Sequence, residues 1–179
     1  MLKLSSTVTN LPIYSLRTGH AVGLAGRPLI NPNNLKIEAW FAESRFDNGL
    51  LLLPVSEIRE LSAQAFAVND KEAITPAEDL IRLEPLIKLD FQLLGKKVYD
   101  ENREYLGKVN DFATDTNSFF IQRLYVAPSV FKSFTQDQRI VSRAQIIEIT
   151  DKKIVVKATT VRAPGGLFKS PRPATAPEA

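Results

Sequence analysis

Two stretches of this chain superimpose on each other without a gap. Leu51–Val68 (LLLPVSEIRELSAQAFAV) lies on Arg139–Val156 (RIVSRAQIIEITDKKIVV), which sets Ile58 on Ile146, Glu60 on Glu148, Leu61 on Ile149, Phe66 on Ile154 and Val68 on Val156. Further upstream, Ile13-Tyr14 falls on Val98-Tyr99, and Gly23 falls on Gly107 after a shift of one residue. A period of this size is too long for a solenoid repeat and fits two similar small domains in tandem. A domain of roughly 70 residues buries only about 60 % of its unfolded surface. The two copies are therefore candidates for packing on each other.

Apolar runs in both copies are short, rich in Val, Ile, Leu and aromatics, and separated by Gly, Asn, Asp or Pro, which is a strand pattern. In the first copy this predicts strands over Pro12–Leu16, Ala21–Ile30, Lys36–Ala42, Leu50–Pro54, Ile58–Leu61 and Ala65–Asn69. In the second copy it predicts Lys97–Asp100, Leu106–Asp115, Phe119–Tyr125, Arg139–Ser142, Ile146–Thr150 and Lys153–Ala158. Thr150-Asp151-Lys152 reads as the reversal of a hairpin. Asn31-Pro32-Asn33-Asn34 and Asp115-Thr116-Asn117-Ser118 are corresponding turns, built from residues that bond their own backbone. Gly23 and Gly107 mark a bulge or a positive φ where a strand bends. The expected fold is all-β: two tandem small antiparallel barrels joined by a short helical linker.

The expected boundaries are 1–73 for the first repeat, 74–85 for the linker, 86–160 for the second repeat and 161–179 for a tail. In the linker, Thr75 fits an N-cap, Pro76 the first helical position and Glu78 the capping-box partner, with Pro85 ending the helix. Residues 163–179 hold four prolines and little to bury, so a disordered end is expected.

Composition narrows function mainly by exclusion. The chain has no cysteine, which rules out disulfides and thiolate metal sites. No apolar run reaches the roughly 20 residues that span a bilayer. With no signal-peptide pattern at the N-terminus, a cytoplasmic protein is expected. The net charge is +3; residues 86–160 hold twelve basic and nine acidic groups, and residues 161–179 add +2. That is a sparser basic footprint than nucleic-acid binders usually show.

At Gly95–Val126 and Arg139–Val156 the chain resembles a PRC-barrel domain. This is a compact barrel found in the photosynthetic reaction centre H subunit and at the C-terminus of a ribosome maturation factor. The resemblance rests on a G-x-V-x-D strand, here Gly107-Lys108-Val109-Asn110-Asp111, followed by a turn, a third strand and a late hairpin. The first copy reads Gly23-Leu24-Ala25-Gly26-Arg27 and departs at the Val and Asp positions. The resemblance implies a fold and no shared catalytic residues.

No catalytic constellation stands out. His20 is the only histidine and falls in a predicted turn, without an orienting partner or a set of metal ligands. Asp111 and Asp115 share one face of a predicted strand, where polar outward positions and a turn start are the expected roles. The chain is therefore expected to be a binding or adaptor module for a protein or larger assembly, not an enzyme, and no cofactor or metal is implied. The alternative is a ribosome-assembly or RNA-associated factor that uses the basic second copy and the tail. Candidate partner contacts are aromatic. Phe131 and Phe134 lie at i and i+3 in one loop. Trp40 and Phe41 are adjacent on one strand and must point to opposite faces, so that one of them is core.

Overall fold

The computed structural model describes residues 1–128 and 138–158, together with the backbone of residues 161 and 162. It is mostly β. The first repeat comprises β2 (Leu11–Ser15), β3 (Ala21–Asn31), β4 (Lys36–Ser44), β5 (Leu51–Pro54), β6 (Ile58–Leu61) and β7 (Phe66–Val68). The second comprises β9 (Lys97–Asp100), β10 (Tyr105–Asp115), β11 (Ile121–Ala127), β12 (Arg139–Ser142), β13 (Ile146–Ile149) and β14 (Lys153–Val156). Three short strands complete the two sheets: β1 (Leu2–Leu4), β8 (Thr75–Pro76) and β15 (Val161–Arg162).

The two sheets have the same topology. One runs β6-β7-β2-β3-β4-β5-β8 and the other β13-β14-β9-β10-β11-β12-β15. Registers match residue for residue. Ile58 pairs with Val68 and Leu61 with Phe66; Ile146 pairs with Val156 and Ile149 with Ile154, and the register slips at the same place in both hairpins. Ile13 sits opposite Gly23 and Val98 opposite Gly107, each glycine following a one-residue bulge. Contrary to the antiparallel barrels expected from the sequence, the strands are not antiparallel throughout. β2 pairs with β7, and β9 with β14, in parallel, because the chain returns from the late hairpin to the edge of its own first strand. Each sheet is also open: among the described residues β5 does not pair with β6, nor β12 with β13, a short 3-10 turn lying between them instead.

The two repeats share one core. Ile13, Trp40 and Phe66 of the first and Val98, Phe112, Ile121 and Ile154 of the second belong to a single buried cluster. The joint is reciprocal. The Ile37 N–H donates to the Phe119 carbonyl at 2.9 Å, and the Ile121 N–H donates to the Leu35 carbonyl at 2.8 Å. Lys36 and Phe120 form an antiparallel bridge between these two bonds. Equivalent turns thus grip each other as halves of a two-fold interface do. Leu35 and Phe119 hold left-handed φ values of 52° and 58°, a conformation bulky residues rarely adopt. Both side chains are buried in the shared core, which offsets that strain.

The segment between the repeats differs from the predicted helical linker. Thr75 and Pro76 do not open a helix; they form β8, paired with Leu51 and Leu52 at the edge of the first sheet. Two 3-10 turns follow, and the only α-helix among the described residues, α1, spans Glu84–Leu89. Pro85 lies in its first turn, where a missing N–H costs nothing, and so starts the helix it was expected to end. The segment covers the outer face of the first sheet: Leu83 is buried against Leu29, Ala39 and Leu52, with Leu80, Leu86 and Ile87 around it. This explains why Leu51–Pro54 is buried on both faces.

The N-terminal strand crosses to the second repeat. Leu2–Leu4 pairs with Ala113–Asp115. Asp111 anchors the crossing, since its carboxylate accepts the Ser5 N–H at 3.1 Å and both the Ser5 and Ser6 hydroxyls. Asp115 accepts the Asn117 and Ser118 N–H groups of its own turn and the amino group of Met1. The turn amides and that ammonium hold its carboxyl well below the usual carboxylate range. Asp111→Ala is expected to release β1 while the sheets persist. Amides of Lys3 and Leu4 should exchange about tenfold faster or more, from the loss of charge-assisted bonds, as read by native-state hydrogen exchange.

Candidate functional site

The outer face of the second sheet concentrates charge in a way the first does not. Lys97 on β9 lies directly opposite Lys108 on β10, and in the parallel ladder directly beside Lys153 on β14. The neighbours Val98, Val109 and Ile154 point into the core, so all three lysines point outward, and all three are exposed. The result is a row of three ammonium groups across adjacent strands spaced roughly 4.8 Å apart. Like charges placed directly opposite are destabilising in a sheet. None of the three forms an ion pair with a described residue.

A second row lies two residues along β9 and β14, roughly 6.6 Å away, and three along β10, where the bulge before Gly107 adds one residue. Tyr99 is opposite Tyr105 and beside Val155. Both rings are half-buried, with centroids 5.4 Å apart. A cleft of about 750 Å³ opens over β9 and β14, with Lys152 at one end and Arg103 at the other. Two carboxylates also line it. Asp100 is buried and turned into its own loop, where it accepts the Glu104 N–H at 2.7 Å. Glu101 accepts the Ala158 N–H at 3.3 Å. Cations therefore dominate the open part of the face. Lys96 stands apart from the row. Its ammonium donates to the Asp151 carbonyl at 2.6 Å over the Phe91 ring, and burial pulls its pKa down while Asp151 opposes the shift.

The first repeat serves as an internal control. Pro12 and Leu24, paired with each other, stand where Lys97 and Lys108 stand, and Ala65 aligns with Lys153. Tyr14 occupies the place of Tyr99, but Ala21 takes that of Tyr105. The same strands fold with an apolar outer surface, on which Tyr14 is 42 % and Leu24 is 37 % exposed. The topology does not require the lysine row.

The aromatic residues singled out from the sequence go to different places. Trp40 is 1 % exposed and lies at the centre of the shared core, its ring packed edge-on against Phe66 and Phe119 at 5.0 and 5.6 Å. Phe41 points to the opposite face, half-buried beside the Leu83 cluster. The Arg27 guanidinium covers its ring at 3.9 Å and bonds Asp90 at 2.6 Å. Phe131 and Phe134 lie outside the described residues. His20 is exposed in the turn between β2 and β3. Among the described residues no three His, Asp or Glu side chains gather as metal ligands, and no helix is long and apolar enough to cross a membrane. The lysine row escapes sequence reasoning because its members are far apart in the chain and only register unites them.

No curated protein matches the chain. Residues 88–163 match the model of the PRC-barrel domain family. That span contains every residue of the lysine and tyrosine rows. The second repeat, with the charged face it carries, is the part of the chain that is similar to this family.

Proposed function

We propose that the chain is a non-enzymatic binding module built from two tandem PRC-barrel-like units, and that it engages an anionic surface of a larger assembly through the outer face of the second sheet. The lysine row Lys108–Lys97–Lys153 carries this reading. It places like charges side by side on a scaffold whose other copy does without them, an arrangement that a negatively charged partner would relieve. The rest of the molecule supports a scaffolding role. The shared core fixes the two outer faces relative to each other, so that one rigid body presents a basic and an apolar surface. Among the described residues, neither surface gathers a nucleophile, a base and an orienting group.

The test compares wild type with Lys97→Gln/Lys108→Gln/Lys153→Gln and with Leu24→Ser as tagged full-length baits in host lysate, washed at low and high salt. The reading expects a defined set of partners held by wild type and by Leu24→Ser, and lost from the triple variant at low salt. The same partners retained by the triple variant would overturn it. The triple variant should fold normally, because all three side chains project into solvent.

A further inference from the structure

We infer that the ligand of this face is single-stranded nucleic acid, lying across β14, β9 and β10 with phosphates on the lysine row and bases on the tyrosine row. The inference rests on the binding-module reading above and names its partner. Charge alone would equally suit an acidic peptide. The second row makes the difference. Lys97 and Tyr99 are two residues apart on one strand, as are Lys153 and Val155, so both rows project from the same face. A cationic track beside aromatic faces is what strand binding without sequence preference uses, because every base has a π-face to stack while its phosphate needs only a cation. An acidic peptide has no use for the tyrosines. A duplex keeps its bases stacked on one another and out of their reach.

The positions of the other groups agree. Lys152 and Arg103 extend positive charge to both ends of the cleft. Of the two carboxylates that line it, Asp100 is buried in bonds to its own turn, and the exposed Glu101 is engaged by the Ala158 N–H and faces the four cations Lys97, Arg103, Lys152 and Lys153. Tyr99 and Tyr105 meet at a tilt of 55°, so their faces are not spent on stacking with each other. Through the first repeat, Ala21 in the place of Tyr105 shows that the second ring is not needed to close this bulged hairpin.

The experiment uses purified full-length protein and a fluorescein-labelled 12-nucleotide oligouridylate, with anisotropy read from 50 to 300 mM salt. Binding should weaken with salt along a log–log slope of about −0.7 per phosphate contacted. Lys97→Gln/Lys108→Gln/Lys153→Gln should flatten that slope by about 2. Tyr99→Leu and Tyr105→Leu should each weaken binding about fivefold or more with the slope unchanged, and Tyr→Phe at either position should restore it. Circular dichroism and melting temperature report whether a Leu variant remains folded. A Leu variant that does not fold leaves Tyr→Phe and the slope to decide.

Equal binding of a duplex of the same length, or unchanged affinity in folded Leu variants, would overturn the nucleic-acid assignment. No binding of the oligonucleotide, together with lysine-dependent capture of a protein from lysate, would overturn it too while leaving the binding-module reading standing. Loss of lysine dependence in both experiments would remove both readings.

Discussion

Trp40→Ala is expected to destabilise the whole chain, not one repeat, by about 3–5 kcal/mol. The ring is buried to 1 % and spans the joint, since Phe66 belongs to β7 of the first sheet and Phe119 to the turn between β10 and β11 of the second. Truncation removes an aromatic volume and both edge-on contacts. It opens a cavity where Leu35 and Phe119 already hold strained backbone. A loss of that size is a large share of the roughly 5–15 kcal/mol that holds a domain folded. Trp40→Phe keeps an aromatic ring between its two neighbours. It sacrifices no hydrogen bond to a described residue, because the indole Nε1 makes none, so it should cost far less than Ala. Urea unfolding followed by far-UV circular dichroism and by tyrosine fluorescence distinguishes the outcomes. Coincident single transitions, shifted together to lower urea, are expected. Separation into an early and a late transition would show that the repeats unfold independently and that the shared core is not a cooperative unit.

That joint was only half legible in the sequence. Alternating apolar residues and Asx-rich turns locate Lys97–Asp100, Arg139–Ser142 and Ile58–Leu61 to the residue, because local pattern and final pairing agree there. Equivalence of Asn31–Asn34 with Asp115–Ser118 is visible too. That these turns bond to each other is not, since nothing local encodes a contact between positions so far apart in the chain. The segment from Thr75 to Pro85 fails for a different reason. Its capping residues are genuine local signals, but the free edge of β5 offers Thr75 and Pro76 ladder positions, and Leu83 gains more by burial on Leu29, Ala39 and Leu52 than a helix in solvent could return. The strand Leu2–Leu4 is too short to announce itself and depends on Asp111, more than a hundred residues away.

The candidate site was less legible than the fold. Twelve basic against nine acidic groups in residues 86–160 describes an unremarkable surface until register aligns three lysines on one face. The usable signal lay inside the repeat itself, in the replacement of Pro12, Leu24 and Ala65 by lysine at otherwise matched positions. In a duplicated scaffold, agreement between the copies marks what the fold requires, and disagreement marks what it does not. The aromatic pattern points instead to Trp40, which the core needs. Trp40 points from its strand into the shared core, between Phe66 and Phe119, and has no free side from which to reach a partner.

Gly107→Ala should be the most damaging small substitution in the second repeat, at between about 2 and 6 kcal/mol from backbone strain and overpacking together. Gly107 holds φ at +140°, and a Cβ there would lie 2.0 Å from the Ala127 carbonyl oxygen. The bulge after Tyr105 drives this close approach by turning the strand so that the backbone of β11 passes over the glycine. Backbone cannot move aside as a side-chain tip can. Two other glycines separate the causes. At Gly95, φ is +80° with open space around it, so Gly95→Ala carries conformational cost alone, about 1–2 kcal/mol. At Gly23, the equivalent of Gly107, a Cβ would meet the Glu43 carbonyl oxygen at 2.4 Å and the Ile74 Cδ1 at 2.5 Å, with no positive φ. Gly23→Ala therefore carries the clash alone and should fall between the other two. The order Gly107, Gly23, Gly95 in urea midpoints, from most to least destabilised, would show that both copies keep a glycine here for the same reason: a neighbouring strand crosses where a side chain would stand. Equal losses at Gly107 and Gly95 would assign the cost to φ and leave the shared bulge without a role in holding the strands together.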